Sequence, residues 1–147
     1  MKNWFVWALL SAVFAGATAV LAKIGIQGVN SNLATAIRTT VVLVFAWCVA
    51  VPAWRESGLE NIAPRTWLFL ILSGLATGLS WLCYFRALQL GNASQVAPVD
   101  KLSVVIAIVL AVMFLGERLS WRGGVAVALI LTGVLLLAFE PPAVVPK

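Results

Sequence analysis

Hydrophobic residues fall into five long stretches separated by short polar connectors. A helix needs roughly 20 apolar residues to cross a hydrocarbon core about 30 Å thick, and each stretch is close to that length. The connectors contain most of the glycine, asparagine and charged residues, which is typical of loops. The pattern therefore predicts an all-α integral membrane protein with one domain over residues 1–147. Its five transmembrane helices are expected at about residues 4–22, 33–53, 66–88, 94–115 and 121–139.

Composition supports a membrane environment. Of 147 residues, 63% are hydrophobic and 10% are charged, and the mean hydropathy is +1.05. This leaves too little polar surface for a soluble globule, so we expect a multi-pass protein in a lipid bilayer. The ten basic residues lie singly between apolar runs, which argues against a nucleic-acid partner. The chain has no histidine, and Cys48 and Cys83 lie in different apolar segments, so we expect free, buried thiols and neither a metal nor another cofactor.

The orientation of the chain in the membrane stays open from the sequence. The alternating path brings five tryptophans to one membrane face, as in an interfacial belt: Trp4, Trp7, Trp54, Trp67 and Trp121. Lysine and arginine, whose excess normally marks the cytoplasmic side, number five on each side of this map. One hypothesis is that the protein inserts in both orientations. The other is a fixed cytoplasmic amino terminus, set by the charges near the first helix.

Small, polar and aromatic residues recur at spacings of three and four along the third segment and therefore share one helical face. These residues are Gly74, Thr77, Gly78, Trp81 and Tyr84. The glycines favour close helix packing, a role also predicted for Gly124 and Gly133 in the fifth segment. Thr77, Trp81 and Tyr84 add the aromatic and hydrogen-bonding groups of a small-molecule pocket. A packing surface and a substrate pathway are both consistent with this face.

Arg38 is expected inside the membrane. A second helix that began at Arg38 and ended before Pro52 would be only about 21 Å long, so the span must start earlier, near Leu33. On this helix Thr35, Arg38 and Thr39 share a face, which suits a guanidinium turned toward other helices or a wet cavity. One hypothesis gives Arg38 an anionic partner, on a substrate or on Asp100. The alternative is an arginine whose long stem reaches the interface.

Pro98, Asp100 and Lys101 lie near the start of the fourth segment, and two geometries are consistent with the sequence. A helix that begins at Pro98 loses no hydrogen bond, because the N–H of the first helical residue has no partner within the helix. Asp100 then lies in the first turn, where the helix dipole favours an anion. A helix that begins at Ser94 contains Pro98 in its interior, which interrupts the helix and places Asp100 about 9 Å below its start. In the second geometry these residues line a cavity, and Asp100 is the candidate proton carrier beside Lys101 and Arg38.

Several motifs together resemble a known family. They are Tyr-Phe-Arg-Ala-Leu at residues 84–88, Gly91, Ser94, Ala-Pro at 97–98, and Leu-Gly-Glu-Arg-Leu-Ser at 115–120. This set is similar to the EamA-type domain of the drug/metabolite transporter superfamily. The resemblance implies half of a ten-helix inverted-repeat transporter, located in a prokaryotic plasma (inner) membrane. A chain with only one such half is expected to form a homodimer, antiparallel if it copies the inverted halves.

The function expected from these features is a small secondary transporter that exports a small metabolite or drug-like solute by alternating access. A non-transporting membrane scaffold or assembly subunit is the alternative, because helix packing alone also explains the glycines. An enzyme is not expected, since the sequence lacks histidine, paired membrane carboxylates and a nucleophile with a base.

Overall fold

A computed structural model describes residues 4–57 and 62–140, and these residues form helices joined by short connectors without any strand. The helices are α1 (Trp4–Gly25), α2 (Ser31–Ser57), α3 (Pro64–Leu90), α4 (Ala93–Asp100), α5 (Leu102–Leu115) and α6 (Trp121–Ala138). Five spans in the described residues are long and apolar enough to cross a membrane, because α4 and α5 together make one span, Ala93–Leu115. The predicted fold class, an all-α membrane protein with five transmembrane helices, is confirmed.

Local sequence signals explain where several helices begin and end. Pro64 opens α3, a position where its missing N–H costs no helical hydrogen bond. Ser120 precedes α6 and its Oγ accepts a hydrogen bond from the Gly123 N–H at 3.2 Å. Gly116 ends α5 with a φ of 69°, a left-handed conformation that glycine adopts without steric cost. These caps place the helix ends within a few residues of the boundaries expected from hydropathy.

The chain divides into two compact units. One contains the residues up to Lys23 together with those from Leu90 onward, and the other is Ile24–Gln89. The single domain over residues 1–147 stays a prediction. The two units are described separately below.

In the Ile24–Gln89 unit, burial is concentrated at the amino-terminal end of α2 and the carboxy-terminal end of α3. The buried residues are Ile26, Ser31, Thr35, Phe85 and Leu88. Gln89 Nε2 at the end of α3 donates a hydrogen bond of 2.6 Å to the carbonyl oxygen of Val29, just before α2. Toward the other ends of both helices, large apolar side chains such as Phe45 and Phe69 are exposed, as expected for surfaces that face lipid. The free thiols of Cys48 and Cys83 are exposed as well, so the prediction that they are buried is wrong.

In the other unit, α4 and α5 pack against α6. The more buried residues of α6 recur every three or four positions, at Gly124, Val127, Leu131 and Val134, which is the spacing of one helical face. The ends of this unit are tied by polar contacts to backbone carbonyls. Lys23 Nζ donates to the Gly91 oxygen at 2.7 Å, and Gln95 Nε2 donates to the Glu140 oxygen at 2.8 Å.

Replacing Lys23 with methionine is expected to lower the free energy of unfolding by about 1 kcal/mol, because a partly buried, charge-assisted hydrogen bond to Gly91 is lost. Detergent-to-SDS unfolding titrations of the purified protein measure this change. Arg118→Met is the matched control, since Arg118 is an exposed loop residue. Equal losses in both variants would show that the Lys23 contact contributes nothing specific.

Candidate functional site

The predicted site residues fall into the two compact units. Arg38, Thr77, Trp81 and Tyr84 belong to the Ile24–Gln89 unit, and Pro98, Asp100 and Lys101 belong to the other. Each group has its own internal contacts. The site is therefore built first from α2 and α3 and then from the junction of α4 and α5.

Arg38 on α2 is held by two aromatic rings of α3. Its Cζ lies 4.5 Å from the ring centroid of Trp81 and 5.4 Å from that of Phe85. Trp81 and Phe85 are four residues apart, so one helical face carries both rings. Phe85 is 3% exposed and fixes its side of the contact, while Arg38 and Trp81 are half-buried. A partly desolvated cation–π contact of this kind contributes about 1 to 2 kcal/mol and fixes the plane of the guanidinium.

The guanidinium lies well inside the α2 span. Arg38 is seven residues beyond Ser31, the first residue of α2, which corresponds to about 10 Å along the helix axis. Among the described residues, no acceptor takes a hydrogen bond or an ion pair from its N–H groups. None of its nitrogen atoms is both fully buried and unpartnered, so the N–H groups retain accessible surface. The flat face of the Arg38 guanidinium is therefore covered by aromatic rings, while the N–H groups at its edge remain accessible.

The other site residues predicted on this face of α3 make different contacts. The Tyr84 ring lies against Phe85 with centroids 6.4 Å apart, so Tyr84 extends the aromatic cluster. Thr77 is exposed, and its hydroxyl donates to the Ser73 carbonyl of its own helix at 2.9 Å. Thr77 thus lies one turn before Trp81 with its hydrogen already used. Their roles in a substrate pathway stay predictions.

The glycines assigned to helix packing have open space beside them in the described chain. A Cβ atom placed on Gly74, Gly78, Gly124 or Gly133 would meet no described atom within 4 Å. The packing role of these glycines stays a prediction. If they pack closely on a helix, that helix lies outside the compact unit to which each glycine belongs.

The second part of the site is a break in the fourth membrane span. The helix begins at Ala93, so Pro98 lies in its interior, and α4 ends at Asp100. Since proline has no N–H, the carbonyl of Ser94 cannot receive its usual bond four residues on. Three residues after the proline, the Lys101 N–H donates to the Pro98 oxygen at 2.9 Å, a tighter three-residue step, before α5 begins at Leu102. Of the two geometries considered from the sequence, this is the interrupted helix.

Asp100 and Lys101 form an ion pair at this junction. Lys101 Nζ lies 3.2 Å from Asp100 Oδ2, and the two side chains are 54% and 34% exposed, respectively. Asp100 is seven residues beyond Ala93, or about 10 Å into the span. Both residues therefore lie about 10 Å into the span by their position along the helix, and both side chains remain partly exposed.

Two features of the site were missed by sequence reasoning. Phe85 was not predicted to belong to the site, although its position four residues after Trp81 places it on the same helical face. Lys101 was expected beside Asp100, but its place as the single non-helical residue between α4 and α5 was not foreseen. That break depends on the local bonding around Pro98, which hydropathy does not report.

Comparison with known proteins identifies the family. Residues 2–139 match the EamA-like transporter family. The chain is a member of the EamA-like transporter family. No solved structure matches it significantly.

Relatives of this EamA-like protein include chains of two lengths. It is 53% identical to a Sinorhizobium protein described as an uncharacterized transporter in the cobO 3′ region, over 93% of this chain and 97% of the relative. An uncharacterized protein of Methanocaldococcus jannaschii is 25% identical, over 95% and 99% of the two chains. The uncharacterized transporter YxxF of Bacillus subtilis is 23% identical, over 92% of this chain but only 42% of YxxF.

Replacing Pro98 with alanine is expected to close the break between α4 and α5. The new N–H at position 98 can bond to the Ser94 carbonyl, which should slow hydrogen exchange of the neighbouring backbone amides about fivefold, the equivalent of about 1 kcal/mol for one hydrogen bond. Hydrogen–deuterium exchange of the protein in lipid nanodiscs measures this change. Pro64→Ala is the control, because a proline at the first helical position removes no such bond. Unchanged exchange in Pro98→Ala would mean that the proline does not cause the break.

Proposed function

We propose that this protein is a small secondary transporter that exports a small metabolite or drug-like solute as a homodimer, by alternating access. The observation that carries the proposal is the position of Arg38, about 10 Å inside an apolar span with its hydrogen-bonding edge open. Charged groups at such depth are costly and usually mark a substrate or ion path. Membership of the EamA-like transporter family supports the same role.

The interrupted fourth span supports a carrier mechanism. Broken helices recur in secondary transporters because unpaired backbone groups and helix ends coordinate polar cargo near the membrane centre. Here Pro98 leaves the Ser94 carbonyl without its usual helical bond, and Asp100 ends α4 two residues after the proline. Asp100 is our candidate proton carrier, since its protonation would remove the attraction to Lys101 and so change the charge at the junction.

The homodimer is supported by the lengths of the relatives. The chain matches 42% of YxxF, so that relative is more than twice as long as the matched region, whereas two other relatives match over nearly their whole length. We propose that two copies of the short chain do what one long chain does in YxxF. The equal number of basic residues on the two sides of the membrane map permits the copies to lie antiparallel.

A membrane scaffold or assembly subunit is the alternative function. The open glycine faces favour it, because they suit close contact with another helix and require no cargo. We place the protein in a prokaryotic inner membrane, with the bilayer, a second copy and a small solute as its partners and no cofactor. Its sequence also lacks histidine, the most common acid–base group of enzymes, so we do not propose catalysis.

Proteoliposome flux distinguishes the transporter from the scaffold. With a panel of radiolabelled metabolites, we expect substrate-dependent movement that falls at least about tenfold in Arg38→Gln, equal to about 1.4 kcal/mol of lost stabilisation. Asp100→Asn should abolish the response to a pH gradient if Asp100 carries the proton. Arg86→Gln is the control, since Arg86 is an exposed arginine of the same unit that donates to Gln89. Absence of flux across the whole panel would favour the scaffold.

Gly78→Ile is expected to weaken the homodimer and leave the protomer folded. A Cβ atom at position 78 would have no described contact within 4 Å, so we expect the added bulk to clash with a second copy rather than within the protomer. Single-molecule photobleaching in bilayers measures the dimer fraction, and cross-linking of engineered end cysteines reports the relative orientation of the copies. Ala76→Ile adds similar bulk to an exposed position on a different face of α3 and should leave the dimer intact. A dimer unaffected by Gly78→Ile would exclude this face, and cross-links only between like ends would contradict the antiparallel arrangement.

A further inference from the structure

We propose that Arg38 is an oxyanion receptor, which binds the carboxylate or phosphate group of a small solute. This rests on the proposed transport function and names the substrate class for the same site. The stacked guanidinium on Trp81 and Phe85 is the structural basis. The next step is to ask which group neutralises its charge.

In the described part of the Ile24–Gln89 unit, no acidic residue of α2 or α3 lies at the depth of Arg38. Its sequence contains only two acidic residues, Glu56 and Glu60. Glu56 lies on the same helix as Arg38 but 18 residues further on, or about 27 Å along the axis. Glu60 lies outside the described residues. A guanidinium keeps its positive charge in proteins, and an unpaired charge in an apolar span is costly, so an anion from outside α2 and α3 stabilises it.

The way Arg38 is held determines what it binds. Aromatic rings contact the flat face of a guanidinium and leave the N–H groups at its edge free. That edge carries a fork of donors whose spacing matches the two oxygens of a carboxylate or phosphate. Since Trp81 and Phe85 already fix the plane, little conformational entropy is lost when an anion binds. The site is therefore preorganised for a bidentate contact.

The hydroxyl groups beside Arg38 do not compete for this role. Thr35 donates to the Ser31 carbonyl at 2.8 Å, and Thr39 donates to the Thr35 carbonyl at 2.7 Å. Their hydrogens are thus committed to the backbone of α2. Thr35 and Thr39 thus offer no free donor beside Arg38, so the charge and shape of the oxyanion, rather than hydrogen bonds from these hydroxyls, decide what binds.

A solute is favoured over a lipid headgroup by the position of the side chain. Arg38 folds against rings of α3 at about 10 Å from the first residue of α2, whereas an arginine that binds headgroups extends to the interface. Within its own unit Asp100 pairs with Lys101 at 3.2 Å.

Ligand-dependent thermal unfolding in neutral detergent micelles tests the proposal. The probes are benzoate and inorganic phosphate as oxyanions, and benzamide as the neutral analogue of benzoate. We expect at least one oxyanion to raise the Tm of the natural protein, and its affinity to fall at least about tenfold in Arg38→Gln. Arg86→Gln, which removes an exposed arginine of the same unit, should retain the response, and benzamide should have no effect. Equal stabilisation by benzoate and benzamide, or equal losses in both arginine variants, would overturn the proposal.

Two further variants keep the test decisive if Arg38→Gln does not fold. Arg38→Lys keeps the charge and removes the fork of donors, and Trp81→Leu removes the main stacking ring, so each should weaken oxyanion binding severalfold. Unchanged affinity in both would contradict the receptor geometry. Added phosphatidylglycerol tests whether a lipid headgroup is the anion that Arg38 binds. Arg38-dependent stabilisation by this lipid, with no response to benzoate or phosphate, would make a headgroup the occupant and overturn the solute.

Flux and binding measurements together distinguish a failure of the oxyanion receptor from a failure of the proposed transport function. Transport of neutral solutes that is insensitive to Arg38→Gln would leave the transporter intact and overturn the oxyanion receptor. Arg38-dependent binding of benzoate or phosphate without flux of any metabolite would support the receptor and contradict the transporter.

Discussion

The membrane interior offers no water, so every polar group at depth needs a partner in the protein or in a ligand. Most polar side chains in the described spans meet this constraint locally. Thr35 and Thr77 donate to carbonyls four residues back in their own helices, and Lys23 reaches the carbonyl of Gly91. Arg38 is different, because the rings of Trp81 and Phe85 contact only the flat face of its guanidinium and accept no hydrogen bond from its N–H edge. The same constraint therefore identifies Arg38 as a charged group that needs something more than these two rings.

The two parts of the candidate site use opposite physical designs. Arg38 is fixed by residues that are distant in sequence, across two helices, so its orientation is set within the protein. Asp100 and Lys101 are sequence neighbours at a helix break, and both keep substantial exposure. An ion pair of this kind contributes little to stability, so little free energy is needed to separate it. In the proposed carrier, the fixed Arg38 would recognise cargo and the easily separated pair would change state.

The fold was predictable because hydropathy reports membrane spans directly. Five apolar stretches became five spans, and the ends moved by only a few residues, for example from Leu33 to Ser31 at the start of α2. The site was predictable only in part. Arg38, Trp81 and Asp100 stand out because charge and aromatic character are rare enough to be noticed within apolar runs. Phe85 does not stand out among other apolar residues, and the break at Lys101 depends on which carbonyls its neighbours reach, which hydropathy does not encode.

Arg38 also gives the orientation of a dimer a functional meaning. Within the span Ser31–Pro52, it lies seven residues from one end and fourteen from the other, or about 10 Å and 21 Å. In a parallel dimer both copies would hold their receptors at the same depth, open toward the same side. In an antiparallel dimer the two receptors would lie about 10 Å apart in depth, each nearer a different membrane face. An exchange of conformations between two identical chains would then expose the receptors alternately to the two sides, which is alternating access obtained from a single sequence.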